Sequence, residues 1–254
     1  MSTRMRMWLF APAVVVFAGF FVWGLTGLPP VGNYPGPYGD VINNVAVNER
    51  HVTDMVSAIN FDYRAFDTLG EEFILFVSVM GVLLLLRQQH DQTKAKPTDQ
   101  APQLAVPRQS DLVRAAGLLL MGSTVLFGLY ILTHGNLSPG GGFQGGVLIT
   151  SALLLAYLAG GFERFRKILP HQLVEITEAL GAGGYALTGL LGMLAGVTYL
   201  QNVLPLGQPG EPISGGTIFV VNLATGLEVF SGLFLLFATY LEEMLEHYRR
   251  GEQP

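Results

Sequence analysis

The 254-residue chain contains no cysteine. It can therefore hold no disulfide, no iron–sulfur cluster and no thiolate-bound zinc of its own, and any redox centre must belong to a partner. Charge is scarce as well: Asp, Glu, Lys and Arg make up 13% of the residues, against about 25% in an ordinary soluble domain. With 50% of the residues hydrophobic, the composition is that of an integral membrane protein. No basic run interleaves with aromatics and the net charge is −5, which sets nucleic-acid binding aside. No cofactor, metal site or catalytic residue is expected within the chain.

What is present is a set of long apolar runs. A span needs about 20 mostly apolar residues, and six segments qualify: 8–29, 70–86, 112–133, 144–161, 173–200 and 216–240. The expected fold is all-α with six transmembrane helices. Arg4, Arg6, Arg87, Lys94, Lys96, Arg108, Arg114, Arg164, Arg166, Lys167, Arg249 and Arg250 fall on one side of these spans, and only Arg50 and Arg64 on the other. That bias places both termini in the cytoplasm. Loops 30–69, 134–143 and 201–215 then face outward.

The first run follows Arg4 and Arg6, as a signal peptide would, but it is longer than the usual apolar core and no A-x-A site precedes "LPPVGNYPGPYGD". It reads as an anchor, with a signal peptide as the alternative. Residues 88–110, "QQHDQTKAKPTDQAPQLAVPRQS", are polar and without periodicity, so a cytoplasmic linker is expected there. It separates a two-span unit, 1–87, from a four-span unit, 111–254.

Between the third and fourth runs lies "THGNLSPGGGFQGG" (133–146). A phosphate cradle of the Walker type needs G-x-x-x-x-G-K-[ST] after a strand, whereas this loop has no lysine and joins two helices. Pro139 ends a helical turn, Gly140, Gly141 and Gly142 open backbone conformations closed to other residues, and Gly145 and Gly146 let the next helix approach a neighbour. Either a tight hairpin or a broken helix end lining a polar cavity would use such a loop. In the fifth run Gly184, Thr188, Gly192 and Gly196 recur every four residues, a small-residue face suited to an internal or an intersubunit contact. Ala152, Ala156 and Gly160 repeat the pattern in the fourth.

The ionisable residues inside the runs carry the chemistry. Glu228 sits near the middle of "TIFVVNLATGLEVFSGLFLLFATY", with Asn222, Thr225, Ser231 and Gly232 around it. A carboxylate at that depth is costly unless paired, hydrated or neutralised, so proton or cation movement is its expected role, with a structural hydrogen-bond acceptor as the alternative. Glu178 lies within the fifth run and Glu175 nearer its edge. Glu71 and Glu72 open the second run after Arg64 and Asp67, as pathway residues or as charges suited to the helix dipole. His134 closes the third run as an interfacial histidine or a proton relay.

These residues also carry a resemblance. "FDYRAFDTLGEEFILF" (61–76) resembles the short membrane unit at the end of the large A-type component of Mrp-type sodium/proton antiporters, found as a separate small subunit in membrane-bound hydrogenases. "HGNLSPGGGFQGGVLI" (134–149), "EALGAGGYALTGLLG" and "NLATGLEVFSG" resemble the MnhB/MrpB component of those antiporters. The resemblance implies a fused accessory subunit, not an enzyme, in a bacterial or archaeal cytoplasmic membrane. It implies large antiporter-like and small subunits as partners, and Na+ and H+ as the transported ions. The large antiporter domain that precedes the first unit in the A-type component is absent, so the chain alone is not expected to exchange ions. A membrane-arm subunit of a hydrogenase-related respiratory complex, coupling redox chemistry to pumping, is the alternative. A self-sufficient small transporter fits less well, because no inverted repeat links the halves.

Overall fold

The structure, a computed structural model, describes residues 3–28, 32, 36–92, 110–168 and 170–250. The described residues form helices and no strand: α1 (Thr3–Thr26), α2 (Pro37–Arg50), α3 (Met55–Ala58), a π turn (Ile59–Tyr63), α4 (Ala65–Gln92), α5 (Asp111–Thr133), α6 (Gly142–Gly160), α7 (Phe162–Ile168), α8 (His171–Leu194) and α9 (Thr217–Arg250). Four of them are long and apolar enough to cross a membrane, over Ala65–Leu86, Asp111–Thr133, Gly142–Gly160 and Thr217–Met244. The other two runs read from the sequence correspond to α1 and α8. Helix α4 continues to Gln92, so the start of the expected linker is helical, and 93–109 lie outside the described residues.

The chain divides into two units, Met1–Val41 and Ile42–Pro254. In the first, α1 leaves Phe17, Phe20 and Trp23 exposed, as suits a helix that is apolar all round. The second is a bundle in which α9 packs against α4, α6 and α8, while α5 and α6 form a hairpin. Local chemistry sets the helix starts. Ser110 accepts the Val113 N–H at 3.3 Å to cap α5, and Asp54 does the same for α3 with the Ser57 N–H at 3.2 Å. Helix α9 begins where Asn202 Oδ1 accepts the Thr217 N–H at 2.9 Å.

Two apolar clusters fill the bundle. One gathers Phe61, Ala65, Leu69, Tyr185, Ile218, Val221 and Ala224 with parts of α2 and α3. The other gathers Val79, Leu153, Phe162, Phe165, Val174, Phe234 and Leu235. Along α4 and α9 the order is first cluster, glutamate, second cluster: 65–69, then Glu72, then Val79; and 218–224, then Glu228, then 234–235. Along α8 it is reversed, Val174, Glu178, Tyr185. Three carboxyl groups therefore sit at one level, between two apolar layers.

Candidate functional site

Glu72, Glu178 and Glu228 are buried, at 0%, 1% and 0% exposure. Each comes from a different helix, and the packing explains why they meet. On α8, Gly181 leaves no room for a side chain: a Cβ there would stand 2.6 Å from the Glu228 backbone nitrogen and 2.7 Å from its Cβ. That close crossing lays α8 on α9 at Glu228 itself. On the next turn of α9, a Cβ at Gly232 would stand 3.4 Å from Glu178 Oε1 and 3.2 Å from Val79 of α4, so α4, α8 and α9 converge there. The Glu72 and Glu228 carboxyls face each other, with the Thr225 hydroxyl on the same side as Glu72. Glu178 lies near enough to Glu228 to couple to it electrostatically.

None of these groups has conventional hydrogen-bond partners to match its burial. Both oxygens of Glu72, both of Glu228, Glu178 Oε1 and Thr225 Oγ1 are enclosed without a hydrogen bond of normal geometry. No Lys, Arg or His forms an ion pair with any of the three glutamates among the described residues. Three carboxyls in such a place require protons or a cation among them, since an uncompensated buried charge is prohibitive. Tyr185, also buried, donates its hydroxyl to the Ala65 carbonyl at 3.0 Å and lies beside Thr68 and Glu72.

Glu71 stands apart from its neighbour: it is exposed while Glu72 is buried. Arg64, at the end of the π turn, pairs with Asp67 at 2.5 Å. Glu175 is exposed and lies 3.5 Å from His171. His134 caps the C-terminus of α5 and stacks on Tyr130 with ring centroids 4.2 Å apart.

The glycine-rich loop is bound by its own chain. Asn222, fully buried on α9, reaches between the hairpin helices: its Nδ2 donates to the Leu132 carbonyl at 2.8 Å and its Oδ1 accepts the Gly142 N–H at 2.7 Å. One side chain thus caps the end of α5 and the start of α6, both of which carry backbone groups with no partner inside their helix. Gly141 has φ +124° and ψ −170°, a conformation essentially reserved for glycine. A Cβ at Gly142 would stand 2.5 Å from the Asn222 carbonyl oxygen, and one at Gly146 2.9 Å from Val229. Gly140 and Gly145 press on Ile131 and Leu132 of α5 in the same way, and Pro139 is exposed at the tip. The loop is also tied to the segment before the π turn: Thr53 Oγ1 donates to the Leu137 carbonyl at 2.8 Å and Ser57 Oγ to the Gly135 carbonyl at 2.5 Å. Buried Asn136 donates to the Pro212 carbonyl at 3.1 Å.

The small-residue stripe of α8 is divided between surroundings. Gly184 touches Ala224 of α9, the Thr188 hydroxyl donates to the Gly184 carbonyl at 2.7 Å, and Gly192 packs under the 198–201 segment. Gly196 lies past the end of the helix with φ +79°. The tight crossing belongs to Gly181, three residues after Glu178. Asn222 and Asn136 are further residues whose part is set by tertiary contacts.

Fold and site together define a helical membrane protein with several apolar helices and a carboxyl cluster closed into its bundle. Residues 112–235 match the family model described as a domain related to the MnhB subunit of the Na+/H+ antiporter. Over 110 residues the chain is 34% identical to the B-type component of the Na+/H+ antiporter of Alkalihalophilus pseudofirmus, a match that covers 43% of this chain and 72% of that protein. The chain belongs to this MnhB family of antiporter components. It is also similar to a chain of the membrane-bound sulfane sulfur reductase, an archaeal respiratory membrane complex, at 29% identity and a TM-score of 0.70 over 94% of this chain and 99% of that one. A chain of the Mrp complex of a Dietzia species shares the fold at 24% identity, with a TM-score of 0.69 over 95% of this chain and 26% of that one.

Proposed function

We propose that this chain is an accessory membrane subunit of a multisubunit monovalent cation/proton antiporter complex, in which Glu72, Glu178 and Glu228 hold the translocated charge. In this reading the chain crosses a bacterial or archaeal cytoplasmic membrane six times with both termini cytoplasmic, α1 and α8 completing the set. Residues 1–87 form the unit related to the end of the large A-type component, and 111–254 the MnhB-like unit. Large antiporter-like subunits and small subunits surround it, and Na+ and H+ are the ions exchanged. The observation that carries the reading is the convergence of three buried carboxyls, each from a different helix, with no basic residue paired to any of them among the described residues.

The test is Glu228→Gln in the assembled complex, assayed as sodium-dependent proton movement in everted vesicles. Glutamine preserves size and polarity but cannot bind or release a proton, so assembly should persist while transport collapses. Normal transport by the variant at several pH values would leave Glu228 a structural residue. The likeness to a respiratory complex over nearly the whole chain supports a second reading, the same module in a redox-driven membrane arm. Purification of the native complex separates the two: large antiporter-like subunits without a redox subunit support the first, and a subunit carrying iron–sulfur clusters supports the second.

A further inference from the structure

Outside the carboxyl cluster, the bundle bears a groove of about 290 Å³ at the end where α4 and α9 begin, lined by Asp62, Tyr63, Ala65, Phe66 and residues 198–201. Between it and the carboxyl level lies the first apolar cluster, into which Tyr185 brings a hydroxyl. Ala65 lines the groove and its carbonyl accepts the Tyr185 hydroxyl, and Tyr185 in turn stands beside Thr68 and Glu72. From Ala65 to Glu72 is two helical turns, roughly 10 Å at about 1.5 Å per residue.

The groove also holds an acidic group whose ion pair uses one oxygen. The Asp62 side chain is 7% exposed and its Oδ1 accepts the Arg50 Nε–H at 2.6 Å, while its Oδ2 is enclosed without a hydrogen bond of normal geometry. Asn202 stands beside it: its Nδ2 donates one N–H to the Gly215 carbonyl at 2.8 Å and has a second that faces Asp62, while its Oδ1 accepts the Thr217 N–H at 2.9 Å. Arg50 has somewhere else to go: its guanidinium lies 5.0 Å from the centre of the Tyr63 ring, and the Tyr63 hydroxyl donates to Glu49 Oε2 at 2.8 Å. A cation arriving at Oδ2 therefore competes with a counter-ion that Glu49 and the Tyr63 ring can retain. The π turn that presents Asp62 is a rare backbone form, found mostly at functional sites.

We propose that this groove is the mouth through which a monovalent cation reaches the carboxyl cluster, with Asp62 as its first ligand and Arg50 as the displaceable counter-ion. The inference rests on the reading of the cluster as the place of the translocated charge.

The absence of cysteine from the chain makes it directly testable. Thr198→Cys or Gln201→Cys is introduced into the full complex and treated with membrane-impermeant methanethiosulfonates, one cationic and one anionic, in vesicles of each orientation. Each variant is compared with itself before labelling, and Ile213→Cys, exposed but not lining the groove, serves as the control. A fixed positive charge about 5 Å from a cation should lower its occupancy on the order of tenfold or more. The cationic label should therefore slow transport about tenfold or more, and the anionic label distinctly less. Equal inhibition by both labels, or full labelling without inhibition, overturns the proposal, as does absence of labelling from either side. If the charge-sign effect is present while Glu228→Gln transports normally, the mouth stands and the cluster reading fails. If Glu228→Gln is inactive but no label acts, the cluster stands and the mouth lies elsewhere.

Discussion

Replacing Asn222 with alanine removes a side chain that touches nothing catalytic, yet it should loosen the whole α5–α6 hairpin. Its two hydrogen bonds, to the Leu132 carbonyl at 2.8 Å and from the Gly142 N–H at 2.7 Å, serve groups at a helix C-terminus and a helix N-terminus. Such groups have no partner within their own helix. Interhelical side-chain hydrogen bonds in membranes often contribute only about 0.6 kcal/mol, because the separated helices find other partners. Here the partners are backbone groups of two buried residues, Leu132 and Gly142. The cost of orphaning each, about 1–3 kcal/mol, is the relevant figure. Asn222→Ala should then destabilise the fold by about 2–6 kcal/mol. At about 2–4 °C per kcal/mol for a chain of this size, the midpoint of thermal unfolding in detergent should fall by at least about 4 °C. Asn222→Asp should fare no better, since a carboxylate can accept from Gly142 but cannot donate to Leu132. A midpoint within about 1 °C of the parent protein, a few tenths of a kcal/mol on that scale, would show that the double cap contributes little to the hairpin.

Gly181→Ala places a Cβ within 2.6–2.8 Å of the Glu228 backbone and Cβ; it should destabilise the protein by about 1–3 kcal/mol, seen as a lower unfolding midpoint, and impair transport by displacing Glu228. Changing Gly141 and Gly142 together to valine puts a β-branched residue at φ +124° and a side chain against Asn222 and Thr225, so partner subunits should be lost on purification. Glu71→Gln, at an exposed position, should alter stability by no more than about 0.5 kcal/mol and leave transport intact, whereas Glu72→Gln should abolish transport in the same vesicle assay. Expressed alone in an antiporter-deficient host, the chain should give no sodium-dependent proton movement.

The all-helical class was legible from the long apolar runs, and Glu228, which the structure buries, stood out as a carboxylate in the middle of one of them. The choice between Glu71 and Glu72 was not legible. The two are adjacent on α4 and point in directions about 100° apart, and which direction is inward depends on α8 and α9, more than a hundred residues away. The glycine loop was legible as a tight element, since only close packing uses so many glycines. Its partners were hidden: Asn222 is 80 residues from Gly142, and Ser57 78 residues from Gly135. A period of four along α8 pointed to Gly184 through Gly196, but the helix ends at Leu194 and the tightest approach to α9 falls on Gly181. Periodicity identifies a smooth stripe, while contact depth along it depends on where the two helices cross. The π turn carried no signal in the apolar pattern, because its departure from α-helix is a matter of which carbonyl each N–H finds.

In the proposed function Glu72 and Glu228 act as one site, and a double-mutant comparison of transport tests this most directly. Glu72→Gln, Glu228→Gln and the double variant are each assembled into the complex and assayed for sodium-dependent proton movement. If the two carboxyls hold one translocated charge between them, each single variant loses transport and the double variant is no worse than either. Single variants that each retain part of the activity, with losses that multiply in the double variant, would mean that the residues act independently and would contradict a shared site.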